Sequence, residues 1–210
     1  MRLYSYVVAR DFGFAPNPFG GVCTLATCKP DIRQQAGVGD WVVGLTSTAD
    51  RITPGFVYIM KVDEVLTYDV YWRDARFQFK KPSRNGSVKQ MFGDNIYHQS
   101  PLGVWHQADS HHSFEGGYAN PRNIANDTKS QGVLVGSRFA YWGSEAIDIP
   151  QEFLDFNGYS IRINRGYKSH FPDEFIQAFS RWFESLNVQG FMAPPSKWTR
   201  SRSTWAYPST

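Results

Sequence analysis

Between positions 83 and 131 the sequence carries neither the period of a helix nor that of a strand. A structureless insertion of that length is uncommon in a compact domain unless it serves function. The stretch is rich in Gly, Asn, Ser, His and Asp and holds four of the five histidines of the 210-residue chain. Phe92, Tyr97, Trp105 and Tyr118 fall inside it, and that aromatic content argues for an ordered segment. The rest of the chain must therefore supply a scaffold that tolerates one long polar excursion.

Strand and helix signals lie on both sides of it. Arg2–Ala9 is aromatic and β-branched, as an opening strand is. In Asp11–Gly21, Pro16, Pro18 and three glycines surround Phe12, Phe14 and Phe19, which forbids both helix and ladder. Such a loop either folds on its own side chains or serves as a lid or pocket wall. Pro30–Gln35 predicts a short helix stopped by Gly37 and Gly39. Val38–Leu45 reads as a turn feeding a buried strand, and the Pro54-Gly55 turn opens a second, running from Phe56 to Leu66. Together they predict two central strands of one sheet. Tyr68–Phe79 predicts a short helix, while Gly132–Gly143 and Ile161–Asn164 return to strand character. Last, Pro172 at a first helical position, Asp173 and Glu174 behind it, and Phe175, Ile176, Phe179, Trp182, Phe183 and Leu186 at helical spacing predict an amphipathic helix ended by Asn187 or Gly190. The expected fold is α+β: a curved mixed or antiparallel sheet with a long central loop insertion and a C-terminal amphipathic helix.

Composition narrows the class. The 34 aromatics, 16 Phe, 11 Tyr and 7 Trp, give a chain of this length ample area for a core without disulfides. No run of about 18 apolar residues occurs, so no membrane span is expected, and no signal peptide is recognised at Met1–Arg10; a cytoplasmic protein is the default. Net charge is +3, and the last twenty residues, with Lys197, Arg200 and Arg202 and no acid, account for all of it. Residues 1–190 read as one domain and 191–210 as a basic aromatic tail able to touch DNA phosphates. The neutral body lacks the basic face that gripping a long duplex demands. Oligomeric state is not specified.

The chemistry-bearing residues concentrate in the middle. Asp94, His98, Asp109 and His111 are general acid and base candidates. His98, His111 and His112 can also contact a ligand's polar edges, although loop histidines bonded to backbone are the commoner arrangement. The spacing matches neither H-E-x-x-H nor the deaminase pattern, so no metal is assigned, and no cofactor is specified. Asn120, Arg122 and Asn123 suit either a turn or recognition of a base edge and a phosphate. Lys168 and His170, ahead of the last helix, suit a phosphate. Trp41, Tyr97 and Trp105 are candidates to stack on a base. Cys23 and Cys28 form no C-x-x-C pair and read as buried thiols. Walker, dinucleotide, nucleophile-elbow and kinase signatures are absent from the sequence.

The strings Leu3-Tyr-Ser-Tyr-Val-Val, Gly13-Phe-Ala-Pro-Asn-Pro-Phe19, Cys23-Thr-Leu-Ala-Thr-Cys-Lys-Pro-Asp-Ile-Arg33 and Gly39-Asp-Trp-Val-Val-Gly44 resemble the nucleotide modification associated domain 2 family. The likeness continues through Asp94-Asn-Ile-Tyr-His98, Asp109-Ser-His-His112 and Asn120-Pro-Arg-Asn-Ile124, over residues 1–170. It implies a phage or bacterial setting linked to modified nucleotides in DNA, and it supplies no catalytic residues. Separately, the Gly39-Asp40 and Pro54-Gly55 turns and the strand ending near Val65 are similar to the layout of PUA-like barrels, which hold a base in an aromatic-walled pocket; fold analogy alone carries no function. The expectation is a pocket for a nucleotide or modified base. Alternatives are an enzyme modifying a base or nucleotide and a protein sequestering a cyclic nucleotide immune messenger, a defence or counter-defence role.

Overall fold

The computed structural model describes residues 1–48 and 52–199. In its first half the strands are β1 (Leu3–Val8), β2 (Cys23–Leu25), β3 (Trp41–Thr46), β4 (Gly55–Lys61) and β5 (Glu64–Thr67), with helices α1 (Pro30–Gln35) and α2 (Tyr68–Arg73). The central segment holds α3 (Val88–Met91), the hairpin β6 (Tyr97–Gln99) and β7 (Trp105–Gln107), and α4 (Pro121–Asp127). Then come β8 (Gly132–Gly136), β9 (Phe139–Tyr141), β10 (Ile147–Asp148), α5 (Gln151–Leu154), β11 (Tyr167–Lys168), α6 (Asp173–Ser185) and β12 (Gly190–Phe191).

The main sheet is mixed, in the order β11-β1-β3-β4-β9-β12, with β10 added to the end of β4. β1 pairs in parallel with β3, and β12 in parallel with β9; the other pairs are antiparallel. The expected barrel is not formed. After β1 the chain departs through the Phe-rich loop into β2, which belongs to a second, antiparallel sheet β2-β8-β5. It returns only at β3, so the connection is a crossover rather than a hairpin, and the main sheet stays open between two-residue edge strands.

Alternation along the strands separates three cores. On one face Leu3, Trp41, Val43 and Phe56 meet Phe175, Ile176, Phe179 and Phe183 of α6, all buried. Each such Phe is worth about 1.5–3 kcal/mol of burial. The opposite face carries Tyr4, Tyr6, Val42 and Met60 and packs on Cys23, Leu25 and Leu134 of the second sheet. The outer side of that second sheet is covered by the central segment through Phe92, Ile96 and Tyr97.

Three expectations are corrected in detail. Residues 83–131 are short helices and a hairpin rather than one loop, anchored by buried Phe92, Ile96 and Tyr97 and by the buried polar groups Asp94, Asn95, Ser110, Ser113 and Asp127. Ile161–Asn164 forms no strand: Ile161 is buried in the α6 core and its N–H donates to Phe153 O at 2.8 Å, leaving β11 to pair with β1 instead. Pro172 is the residue before α6, not its first helical one, while Asn187 ends the helix at φ 50°. Of the expected tail, Gly190–Phe191 adds a strand and the Trp198 indole donates to Phe12 O at 2.9 Å, tying the segment to the first loop. Arg200 and Arg202 lie outside the described residues.

Candidate functional site

A cavity of about 430 Å³ opens where β1 ends, bounded by the Phe-rich loop, the turn after β2 and the loop carrying His111 and His112. Its walls include Tyr6, Phe12 and Phe14, and Arg10 and Lys29 supply cations. Among the described residues that line it there is no carboxylate. Pockets of this size hold small ligands.

Gly13 sets the loop: at φ +69° it takes a conformation that side-chain-bearing residues avoid, and a Cβ there would sit 2.8 Å from Phe19 Cζ. Phe12 then packs on Phe92 and His111, at ring separations of 5.1 and 4.9 Å. Phe14 meets the ring of His112 edge-on at 4.7 Å.

Cys28 and His112 line the cavity, with Asp127 behind the imidazole. The Cys28 Sγ lies 3.7 Å from His112 Nε2, and His112 Nδ1 lies 2.7 Å from Asp127 Oδ2. Asp127, fully buried, also accepts from Cys28 N at 2.8 Å and from the Tyr97 hydroxyl at 2.9 Å. The His112 carbonyl accepts from Asn123 Nδ2 at 2.8 Å and from Gln107 Nε2 at 3.1 Å. Arg33, buried beneath, donates from Nε to Cys28 O at 2.8 Å and from Nη1 to Gly132 O at 2.7 Å. The imidazole is thus held between a thiol and a carboxylate by bonds on every side.

The neighbouring histidines titrate in opposite directions. Burial acts to lower His112, but the Cys28 sulfur and the bond and charge of Asp127 outweigh it and lift the imidazole to about 10. It is an imidazolium at neutral pH. His111, buried among Phe12, Phe14 and Phe92 and beside that cation, falls to about 3 and stays neutral. Asp127 would be raised by burial, yet His112 and the Cys28 amide bring it below its ordinary value.

Cys28, His112 and Asp127 also form the one group of potential metal ligands found among the described residues. One ligand atom from each lies within 4.8 Å of the other two, but His112 spends one ring nitrogen on Asp127 and turns the other to Cys28. Zinc sites use at least three protein ligands, and this arrangement fits a proton relay better.

Of the expected site residues, the structure brings His111 and His112 to the cavity and draws Tyr97 and Asn123 in behind them. Trp41 is fully buried under α6 with its ring on Phe179 and Phe183, so no face is open to a base. Tyr97 and Trp105 both pack against Tyr68. His98 lies away on the hairpin, stacked between Trp72 and His106, and is lowered by burial and by His106. Asp94 is buried elsewhere and accepts from Thr24 at 2.6 Å and Tyr71 at 2.7 Å. Asp109 takes Arg84 at 2.8 Å. Asn120 caps α4, accepting from the amides of Arg122 and Asn123, and Arg122 is exposed. Lys168 donates to Ser160 O at 2.7 Å on the β11 edge, and His170 is exposed beyond it. Sequence reasoning passed over Cys28, Lys29, Tyr6, Arg10 and Asp127. Only the Phe-rich loop carried a signal of its own.

The class defined by this fold and site is an open mixed-sheet α+β domain with a thiol and a histidine pair facing one cavity. A family model for nucleotide modification associated domain 2 matches residues 1–202, and the chain belongs to that family. Its context is therefore one associated with nucleotide modification. No curated protein and no solved structure matches the chain. Among the described residues no helix is long and apolar enough to cross a membrane.

Proposed function

We propose that the chain binds a nucleotide or a modified base in the cavity at the end of β1. The observation that carries this reading is the lining itself: the partly exposed ring of Phe12, with Tyr6 and Phe14 buried in the wall behind it, beside Arg10, Lys29 and the His112 imidazolium, with no carboxylate among the described lining residues. Aromatic faces stack on bases of any identity, and cations without competing acids suit a phosphate. The family's association with nucleotide modification supports the same ligand class. His111, neutral, offers a donor and an acceptor to a base edge.

Titration calorimetry with a panel of nucleoside mono-, di- and triphosphates, including base-modified ones, tests this. The Arg10→Ala/Lys29→Ala double variant should weaken the best binder by tenfold or more, about 1.4 kcal/mol, and added salt should weaken the wild type. A panel with no binder, or a binder indifferent to both cations, refutes it. The enzymatic alternative is favoured by one specific observation, the alignment of Cys28, His112 and Asp127.

A further inference from the structure

We infer that Cys28 is the nucleophile of a Cys28–His112–Asp127 triad that cleaves an acyl group from a nucleotide, through a covalent thioester on Sγ. The substrate class rests on the nucleotide reading above; the reactivity of the thiol does not.

Three observations point to the sulfur. The residues come from three separate segments, with Cys28 and His112 separated by 84 positions in sequence and His112 and Asp127 by 15, yet they are arranged in space as nucleophile, base and orienting carboxylate, the arrangement that activates a thiol. Cys28 and His112 line the cavity while Asp127 stands behind the imidazole. Finally, Cys28 holds φ 56°, in the left-handed region that a residue with a side chain seldom occupies. Such conformations cluster at functional sites. Cys23, five residues earlier, provides the contrast: it is fully buried, and burial pushes its thiol up.

The chemistry follows from the proton positions. In the reactive form the shared proton resides on Nε2, so that Sγ is a thiolate beside an imidazolium whose Nδ1–H is held by Asp127. The sulfur attacks a carbonyl carbon, forming S–C as the C=O pair moves onto oxygen. The Cys28 amide is already committed to Asp127, so the oxyanion has the cations of the lining, Lys29 and Arg10, for stabilisation. Collapse breaks the carbon–nitrogen or carbon–oxygen bond to the nucleotide, and Nε2–H protonates the departing atom. Water, deprotonated by Nε2, then attacks the thioester, and expulsion of the thiolate releases a carboxylic acid and restores the thiolate–imidazolium pair. The imidazolium has a proton to give, which suits departure of a leaving group.

Two measurements test the proposal. In the first, folded full-length protein is alkylated briefly with iodoacetamide at pH 7 and digested for mass analysis. Cys28 should be modified and Cys23 silent, and His112→Ala should slow Cys28 at least tenfold. Asn123→Ala, which removes only a bond to the His112 carbonyl, should slow it less, and guards against a fold lost in the first variant. Alkylation no faster than that of free cysteine, or indifferent to His112→Ala, overturns the triad. So does stoichiometric zinc in protein purified without added metal, if EDTA treatment accelerates alkylation.

In the second, wild type is mixed with N4-acetylcytidine and N6-acetyladenosine 5′-monophosphates and quenched in acid. Intact mass should show one acetyl group on the wild type and none on Cys28→Ser, with free acetate and nucleotide accumulating. A reactive Cys28 with neither label nor product overturns the acyl transfer. Calorimetry with Cys28→Ser keeps the nucleotide reading separate: binding there, with an inert thiol in the wild type, sinks the triad and spares the pocket. A reactive, acylated Cys28 with cation-indifferent binding does the reverse.

Discussion

Asp127→Asn isolates the electrostatics of the site. The carboxylate accepts from Cys28 N through Oδ1 and from Tyr97 and His112 through Oδ2. An asparagine keeps the shape, but its single oxygen can serve only one side, and its amide then faces the other donors. If the oxygen stays on Cys28 N, the charge-assisted bond to His112 and the acceptor for Tyr97 are both lost. Hydrogen bonds to charged groups are worth about 1.5–3 kcal/mol each, and breaking one side of a buried ion pair costs about 3–5 kcal/mol. Both routes put the loss at about 3–5 kcal/mol near pH 6. The sign of the pH dependence follows from His112: its folded value, about 10, lies above the ordinary 6.5. The stability it contributes is therefore complete below pH 6.5 and is lost as pH rises through 10. Urea unfolding of wild type and variant from pH 6 to 10 should show a gap that is widest at pH 6 and narrows toward pH 10, where the imidazole is losing its charge and the bonds from Cys28 N and Tyr97 to the carboxylate remain. A gap below about 1 kcal/mol at pH 6, or one that stays constant across the range, refutes the ion pair.

His111, held neutral at about 3 against an ordinary 6.5, contributes stability that is present above pH 6.5 and disappears as pH falls toward 3; His111→Phe should lessen acid sensitivity in that window, read as a wild-type-minus-variant difference in urea midpoints. Phe179→Ala, beneath Trp41, Phe56, Phe153 and Trp182, should cost about 3–5 kcal/mol by calorimetric melting without changing Cys28 alkylation of the folded protein. Lys80 is fully encircled, donating to Asn17 O and Oδ1, Val22 O and Thr24 at 2.8–3.1 Å near buried Asp94. Lys80→Met should cost about 3–5 kcal/mol in urea unfolding, and a neutral result would show that those acceptors find other partners.

What the sequence made legible in the fold is what period and punctuation report. β3 and β4 were readable because both their faces are buried, so the apolar run is continuous; α6 was readable because one face is apolar over three turns. The same logic explains the failures. Ile161 and Ile163 alternate as a strand would, but alternation records only that both side chains pack inward, and an irregular segment can do that as well. The second sheet is built from strands of three, four and five residues, too short for a period to declare itself. Barrel closure is a property of connections rather than of strands, and nothing local to β1 states that the chain will leave for another sheet before β3.

The site was legible by residue type where a type is rare and by nothing where it is common. His111 and His112 stood out as imidazoles in a polar segment, and the Phe-rich loop as a wall in search of something to cover. Cys23 and Cys28 show why the remainder stayed hidden. They are chemically identical and five positions apart, and an ordered β2 buries the first between the sheets. Had that strand continued, Cys28 would have been one more core thiol. The strand stops at Leu25, the backbone turns left-handed at Cys28, and Asp127, from the far end of α4, takes the amide that the turn exposes. The placement of this thiol therefore depends on a hydrogen bond spanning 99 residues. Asp127 is the last residue of α4, and its carboxylate fixes the turn at Cys28, takes the Tyr97 hydroxyl and orients His112. Removing it should disturb all three together, which is why Asp127→Asn is a stronger test than any change to the thiol itself.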